Sequence, residues 1–327
     1  MFGLRVKMTL LLILFFGILY AVISVIGYAI GIQNFIFYLF LALFFIFIQY
    51  LIGPKIVELT MNVRYVSEDE APYLHEIVEE LSRKASIPKP KVGIAEINIP
   101  NAFAFGRSLK DGRVCVTRGI LRLLDKDELK AVLGHEISHL KNRDVIFITF
   151  LSALPLLLYL ISRNLLFMGM YARRDERERG NLPLVLVGLF AFIMYFITNL
   201  LVLYASRIRE YFADTGSVKL GSRPSHLASA LYKLVYGNAR ISKEELRNYE
   251  GIKAFFLNDP SRALKEIRDL REIDLDLSGK IEEDELISLR NKKVKLSFAD
   301  RLFELLSTHP NMLKRIKYLS KLEGGNL

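Results

Sequence analysis

The sequence predicts a mainly α-helical, multi-pass membrane protein with an α+β part built beside a metal-binding helix. Three observations predict it. Apolar residues make up 52% of the 327-residue chain, and they gather in four long runs instead of spreading evenly. Between the second and third runs the pattern changes to an amphipathic helix and short alternating stretches, which suit a half-buried sheet and its covering helices. That same part ends in Gly134-His135-Glu136-Ile137-Ser138-His139, an H-E-x-x-H spacing that puts both imidazoles on one helical face.

Composition narrows the function classes. The formal charge is +10, yet no nucleic-acid-binding motif accompanies it, so no nucleic-acid partner is expected. Basic flanks that hold one side of a lipid bilayer explain the charge more simply. The single Cys115 excludes an intrachain disulfide. Without a C-x-x-C pair, a metal site must use histidine and carboxylate.

The elements follow in order. Residues 8–32 form the first apolar run, long enough to cross a hydrocarbon core of about 30 Å, and residues 35–52 form the second. With only Gln33 and Asn34 between them, they read as a helical hairpin ended by Gly53-Pro54. Ser67-Glu68-Asp69-Glu70 is a capping-box pattern. It opens an amphipathic helix to about Arg83, with Leu74, Ile77, Val78 and Leu81 on one face. His75 on that helix lacks a second histidine four residues on and reads as an ordinary surface residue. Residues 91–97, 102–105 and 113–117 read as strands, with Asp111-Gly112 as a turn before the last. Acidic Asp125, Asp127 and Glu128 suit the start of the next helix, whose later turns carry the H-E-x-x-H. Residues 145–161 are a short third apolar run that Pro155 should kink. Residues 163–181 are polar and charged, and residues 182–204 are the fourth run. The chain therefore divides into a first apolar hairpin (1–53), a part with the sheet and metal-binding helix (54–144), a second apolar hairpin (145–205) and a helical part (206–327).

Neutral imidazoles suit Zn²⁺, which a catalytic site holds with three protein ligands and one open position. The third ligand is readable just after the fourth run, in Ser206-Arg207-Ile208-Arg209-Glu210-Tyr211-Phe212-Ala213-Asp214. If the helix continues there, Glu210 and Asp214 share a face. Glu210 is then the natural third ligand, and Asp214 can orient an imidazole by accepting its other N–H.

Four segments in fixed order resemble the HtpX-type membrane zinc metalloproteases. They are N-A-F-A-F-G at residues 101–106, G-H-E-I-S-H-L-K-N-R-D at 134–144, S-R-I-R-E-Y-F-A-D at 206–214, and S-T-H-P-N-M-L-K-R-I at 307–316. The resemblance implies a zincin-like, gluzincin-type fold with His135, His139 and Glu210 on one zinc ion and Glu136 as general base. It implies that Asp214 and Asp144 support the ligands, that His309 lies near the substrate or developing oxyanion, and that Arg315 pairs with an acidic group near the site. Asn101, Ala102, Phe103 and Ala104 look like an edge strand that holds an extended peptide. An ordinary core strand, and a simple turn histidine before Pro310, remain open for those two segments. The implied activity is endopeptidase cleavage of membrane or misfolded proteins, in protein quality control. A dedicated CAAX-like processing peptidase and a non-catalytic membrane protein with a structural zinc are the alternatives.

The ligand set also constrains topology. His135 and His139 precede the third run and Glu210 follows the fourth, so both runs must leave and return to one face. Arg5, Lys7, Lys55, Arg64, Lys141, Arg143, Arg207 and Arg209 flank that face, which favours a multi-pass cell-membrane protein with a cytoplasmic site. Five arginines (Arg163, Arg173, Arg174, Arg177, Arg179) in the connection between the two runs argue the other way. Finally, Asp274, Asp276, Ser278 and Glu285 fit EF-hand ligand positions. The stretch is either a Ca²⁺ loop or an acidic turn opening a helix over residues 282–289.

Overall fold

The computed structural model describes residues 14, 18, 35–171, 182–239, 273–276, 278–290 and 298–323. The first apolar run apart from Leu14 and Ile18, the arginines between residues 172 and 181, and residues 240–272 lie outside these. The chain divides into two compact units, one of Met1–Leu51 with Ile146–Ile208 and the other of Ile52–Val145 with Arg209–Leu327.

Among the described residues, two helices are long and apolar enough to cross a membrane. Helix α5 spans Asp144–Tyr171 and helix α6 spans Leu182–Lys219. The expected third run is corrected here. It does not stop at Ile161 but continues as helix through Arg163 and Asn164, because Leu165–Met168 restore the apolar pattern. At 28 residues and 1.5 Å per residue, α5 is about 42 Å long. Leu151, Leu154 and Leu158 of α5 pack against Val202 and Ala205 of α6. Ser162 Oγ donates to the Gly188 carbonyl at 2.8 Å, so a hydroxyl in this apolar setting keeps a partner. Leu156, Phe167, Leu186, Phe192, Ile193 and Phe196 are exposed, as a lipid-facing surface requires.

Helix α1 covers Phe35–Thr60. Gly53-Pro54 does not end it. Pro54 removes one helical hydrogen bond, and the helix continues because Val57 and, just past its end, Met61 bury against the sheet.

In the second unit four strands form a mixed sheet. Strands β1 (Val63–Tyr65), β2 (Lys91–Ala95), β3 (Ala102–Phe105) and β4 (Arg113–Thr117) lie in the order β1-β2-β4-β3. β2 runs parallel to β4, and the other pairs are antiparallel. The period-2 rule sorts their side chains cleanly. Val92, Ile94, Val114, Val116 and Ala102 enter the main core, whereas Ala95, Phe103, Phe105 and Cys115 face Val57 and Met61. At Gly106 the backbone takes φ +150°, and a Cβ there would stand 2.3 Å from the Asp111 carbonyl oxygen. Only glycine can close this end of β3.

Helix α2 (Pro72–Ala85) begins later than the capping-box pattern indicates. Ser67 and Glu70 do exchange backbone-to-side-chain hydrogen bonds, but they close a turn, and Pro72 starts the helix. Leu74, Ile77, Val78 and Leu81 are buried as expected. His75 is half-buried, not on the surface, with Nε2 2.9 Å from the Val66 carbonyl oxygen. A short helix α3 (Arg118–Leu123) leads to α4 (Lys126–Lys141), the H-E-x-x-H helix. Asp125 caps α4 and Glu128 returns the capping box. Glu128 also accepts from Ser229 at 2.7 Å and Lys233 at 2.7 Å, which ties α4 to helix α7 (Pro224–Ala239). Helices α8 (Glu283–Leu289), α9 (Phe298–Leu305) and α10 (Met312–Ser320) complete the unit.

Candidate metal centre

The site forms where α4 meets the last turns of α6, within the second unit. The approach is close because the contact residues are small. A Cβ on Gly216 would stand 1.9 Å from Ser138 Oγ, and one on Gly134 would stand 2.9 Å from Ser217 Oγ. Ser217 Oγ donates to the Ala131 carbonyl at 2.6 Å. This Gly/Ser crossing lets two helices that carry ligand-type side chains pack backbone to backbone. Sequence reasoning missed it, although Gly134 and Ser138 sit inside the H-E-x-x-H segment four apart.

The crossing brings His135, His139 and Glu210 together, with one ligand atom from each within 4.8 Å of the others. His135 Nε2 and His139 Nε2 are 3.0 Å apart. Glu210 lies 3.5 Å from His135 Nε2 and 3.6 Å from His139 Nε2. A tetrahedral zinc with ligand distances of about 2.0–2.2 Å sets its ligand atoms roughly 3.3–3.6 Å from one another, so the donor set has the right span. The other ring nitrogens point away. His135 Nδ1 is 2.9 Å from Asp214 and His139 Nδ1 is 2.6 Å from Asp144. With each Nδ1–H donated to a carboxylate, both Nε2 lone pairs face the same point. Two such lone pairs need a shared positive charge between them, which is what a metal ion supplies. The residues present therefore fit the metal.

Electrostatics agree. Burial pushes the His139 pKa down to about 4, helped by the neighbouring His135. Burial also opposes charge on His135, but hydrogen bonds to Asp214 and Glu210 outweigh it and raise that group to about 9. Glu136 is buried, and burial raises its carboxyl above the usual range against the pull of both histidines. The Ala104 N–H lies near enough to Glu136 to favour its charged form, which sets the acid beside β3.

Arg315, on α10, is fully buried. It grips Asp214 through Nη2 at 2.6 Å and Nε at 3.1 Å, and its Nη1 lies 3.0 Å from Glu210. Asn311 caps α10 by accepting from the Leu313 N–H, which sets the Thr308-His309-Pro310 turn beside the site. His309 Nδ1 is 3.5 Å from Glu210, and neither of its buried ring nitrogens has a hydrogen-bond partner among the described residues.

β3 is an edge strand. Asn101 bonds toward β4, where its carbonyl accepts the Thr117 N–H at 2.9 Å. In an antiparallel pair alternate residues bond across, so Phe103 and Phe105 follow Asn101, and Ala102 and Ala104 turn their backbone groups outward. The Ala104 N–H at Glu136 fits that alternation.

The acidic loop is built otherwise. Asp274 accepts the backbone N–H groups of Ser278 at 2.9 Å and Gly279 at 3.0 Å, together with the Tyr232 hydroxyl at 2.7 Å. Asp276 accepts from Ser278, and Glu285 accepts from Leu275 at 2.6 Å and Glu282 at 3.0 Å. The three carboxylates lie close enough to share an ion, but each already holds backbone donors of its own turn, and α8 opens directly after it. Beyond that proximity, nothing in this arrangement supports Ca²⁺.

Comparison with known proteins follows the same residues. The model of peptidase family M48 matches residues 68–323. A protease HtpX homolog from Methanothermobacter thermautotrophicus is 57% identical over 232 residues, which is 71% of this chain and 86% of that protein. One from Aquifex aeolicus is 34% identical over 312 residues, covering 94% and 89%. The crystal structure of S. mikatae Ste24p superposes with a TM-score of 0.52 at 16% identity, covering 98% of this chain and 67% of that one, a likeness of fold.

Proposed function

The chain belongs to peptidase family M48 and is an HtpX-type membrane metalloprotease; on that premise we propose that it is a zinc-dependent endopeptidase that cleaves membrane or misfolded proteins. The observation that carries this reading is the pair of Nε2 atoms 3.0 Å apart, with Glu210 completing the triangle and Glu136 beside it.

His135, His139 and Glu210 hold the zinc, and Asp214 and Asp144 fix the two imidazole tautomers. Zinc held there would polarise the scissile carbonyl and lower the pKa of the attacking water. Glu136 takes a proton from that water and returns it to the leaving amine. A buried carboxyl with a raised pKa suits both halves of that exchange. His309 donates toward the developing oxyanion, for which its unpartnered ring nitrogens are suited. The outward backbone groups of Ala102 and Ala104 pair with an extended substrate, so cleavage selects chain conformation more than side chain. Asn101 and Phe103 hold that edge to β4.

The four apolar segments pair as two hairpins in the cell membrane, and the site faces the cytoplasm. The length of α5 supports a full crossing, and the basic residues around the site support the orientation. Substrates then reach the zinc at the membrane surface, in keeping with a role in protein quality control.

Purified full-length protein, loaded with zinc, is tested on casein beside Glu136→Gln. Wild type cleaves, and Glu136→Gln keeps its zinc but loses roughly 10²–10⁴-fold in rate. Equal cleavage by both chains would make the zinc structural and refute the proposal.

A further inference from the structure

The site has two parallel arms. On one, His135 is held by Asp214 and Asp214 by Arg315. On the other, His139 is held by Asp144, and Asp144 pairs with Arg209. We propose that Arg209 is the positioning residue of the second arm: it fixes His139 through Asp144, as Arg315 fixes His135 through Asp214.

Three placements argue for this. First, Arg209 immediately precedes Glu210 on α6, so the segment that supplies the carboxylate ligand also supplies the cation behind His139. Second, Arg209 Nη2 donates to the Asn142 carbonyl at 3.0 Å. Asn142 is the C-cap of α4, so the guanidinium joins the end of the metal-binding helix to the start of α5. Third, it spans the two-residue break between those helices, where Arg143 takes the left-handed φ of +56°. A non-glycine residue in that conformation needs its surroundings to hold it, and Asn142 and Asp144, its two neighbours, are both tied to Arg209.

The arms differ in one respect that makes a test possible. Side chains of His135, Asp214 and Arg315 are wholly sealed, whereas those of His139, Asp144 and Arg209 are 16%, 7% and 13% exposed. The second arm is the one water can reach, so it is where the metal loosens first when its support is removed. Loss of an outer partner of a metal-bound histidine typically costs 10–100-fold in metal affinity.

This inference rests on the proposed zinc site, and the experiment separates the two. Zinc release from the full-length chain to a chromogenic chelator is followed for wild type, Arg209→Gln, Arg209→Lys, Asp144→Asn and the Arg209→Gln/Asp144→Asn double variant. The exposed Arg122→Gln serves as control, and the cobalt-substituted visible spectrum is recorded for each. The inference expects release roughly 10-fold faster or more for Arg209→Gln, an altered cobalt spectrum, partial rescue by lysine, and a double variant no worse than Asp144→Asn alone. Thermal unfolding of metal-free chains identifies any variant that merely fails to fold, and the lysine variant then decides. Arg209→Gln releasing zinc at the wild-type rate, or adding its full effect to Asp144→Asn, overturns the inference and leaves the zinc site standing. A wild type that holds no zinc overturns both.

Discussion

Among the described residues two clusters bring ligand-type side chains together, and they differ in what those atoms already hold. At His135, His139 and Glu210 the outer ring nitrogens are taken by Asp214 and Asp144, and the inner nitrogens face one another 3.0 Å apart. At Asp274, Asp276 and Glu285 the carboxylates accept backbone N–H groups of their own turn. The first arrangement leaves its electron pairs converging on a point; the second disperses them along the chain. Proximity of acids and histidines therefore says little about a metal until the remaining hydrogen bonds of each group are traced.

The comparison breaks most visibly at a ligand. His139→Ala is expected to lose zinc and reduce casein cleavage to background, read by elemental analysis and a protease assay on one preparation. Asp214→Asn comes next. It keeps all three ligands but withdraws the charge behind His135, and roughly 10–100-fold weaker zinc binding is expected by chelator competition. It also leaves Arg315 facing an amide, so part of that loss should appear as lower thermal stability. At the acidic loop the effect is smaller and of another kind. Asp274→Ala strips the partner from the Tyr232 hydroxyl and the Gly279 N–H and leaves the Ser278 N–H to Asp276 alone, which costs about 1–3 kcal/mol of stability in denaturant titration, with zinc content and cleavage unchanged. Smallest of all, millimolar Ca²⁺ is expected to leave the melting temperature of the wild-type chain where it was; a rise of several degrees would mean ligand stabilisation and would remove the distinction between the clusters.

Where the sequence was legible, one physical signal dominated. Strands β3 and β4 lie at the residues their alternation indicates, because a one-residue slip would turn Phe103 and Phe105 together away from Val57 and Met61. The H-E-x-x-H and the spacing of Glu210 and Asp214 are equally local, since residues four apart on a helix share a face. What was missed depends on partners distant in sequence. α1 outlasts Pro54 because Val57 packs on the sheet; α5 outlasts Arg163 for a local reason instead, because Leu165–Met168 resume its apolar run. β1 is three residues long, too short to show alternation, and exists by pairing with β2. The Gly134/Gly216 crossing and the Arg209–Asp144 pair join residues that only the fold places side by side.

The most direct test of the central claim is the metal content of the full-length chain after dialysis against zinc and calcium together. The account predicts one zinc and no calcium per wild-type chain, and neither metal in His139→Ala. Zinc retained in His139→Ala, or calcium bound in equal measure by the wild type, would contradict it.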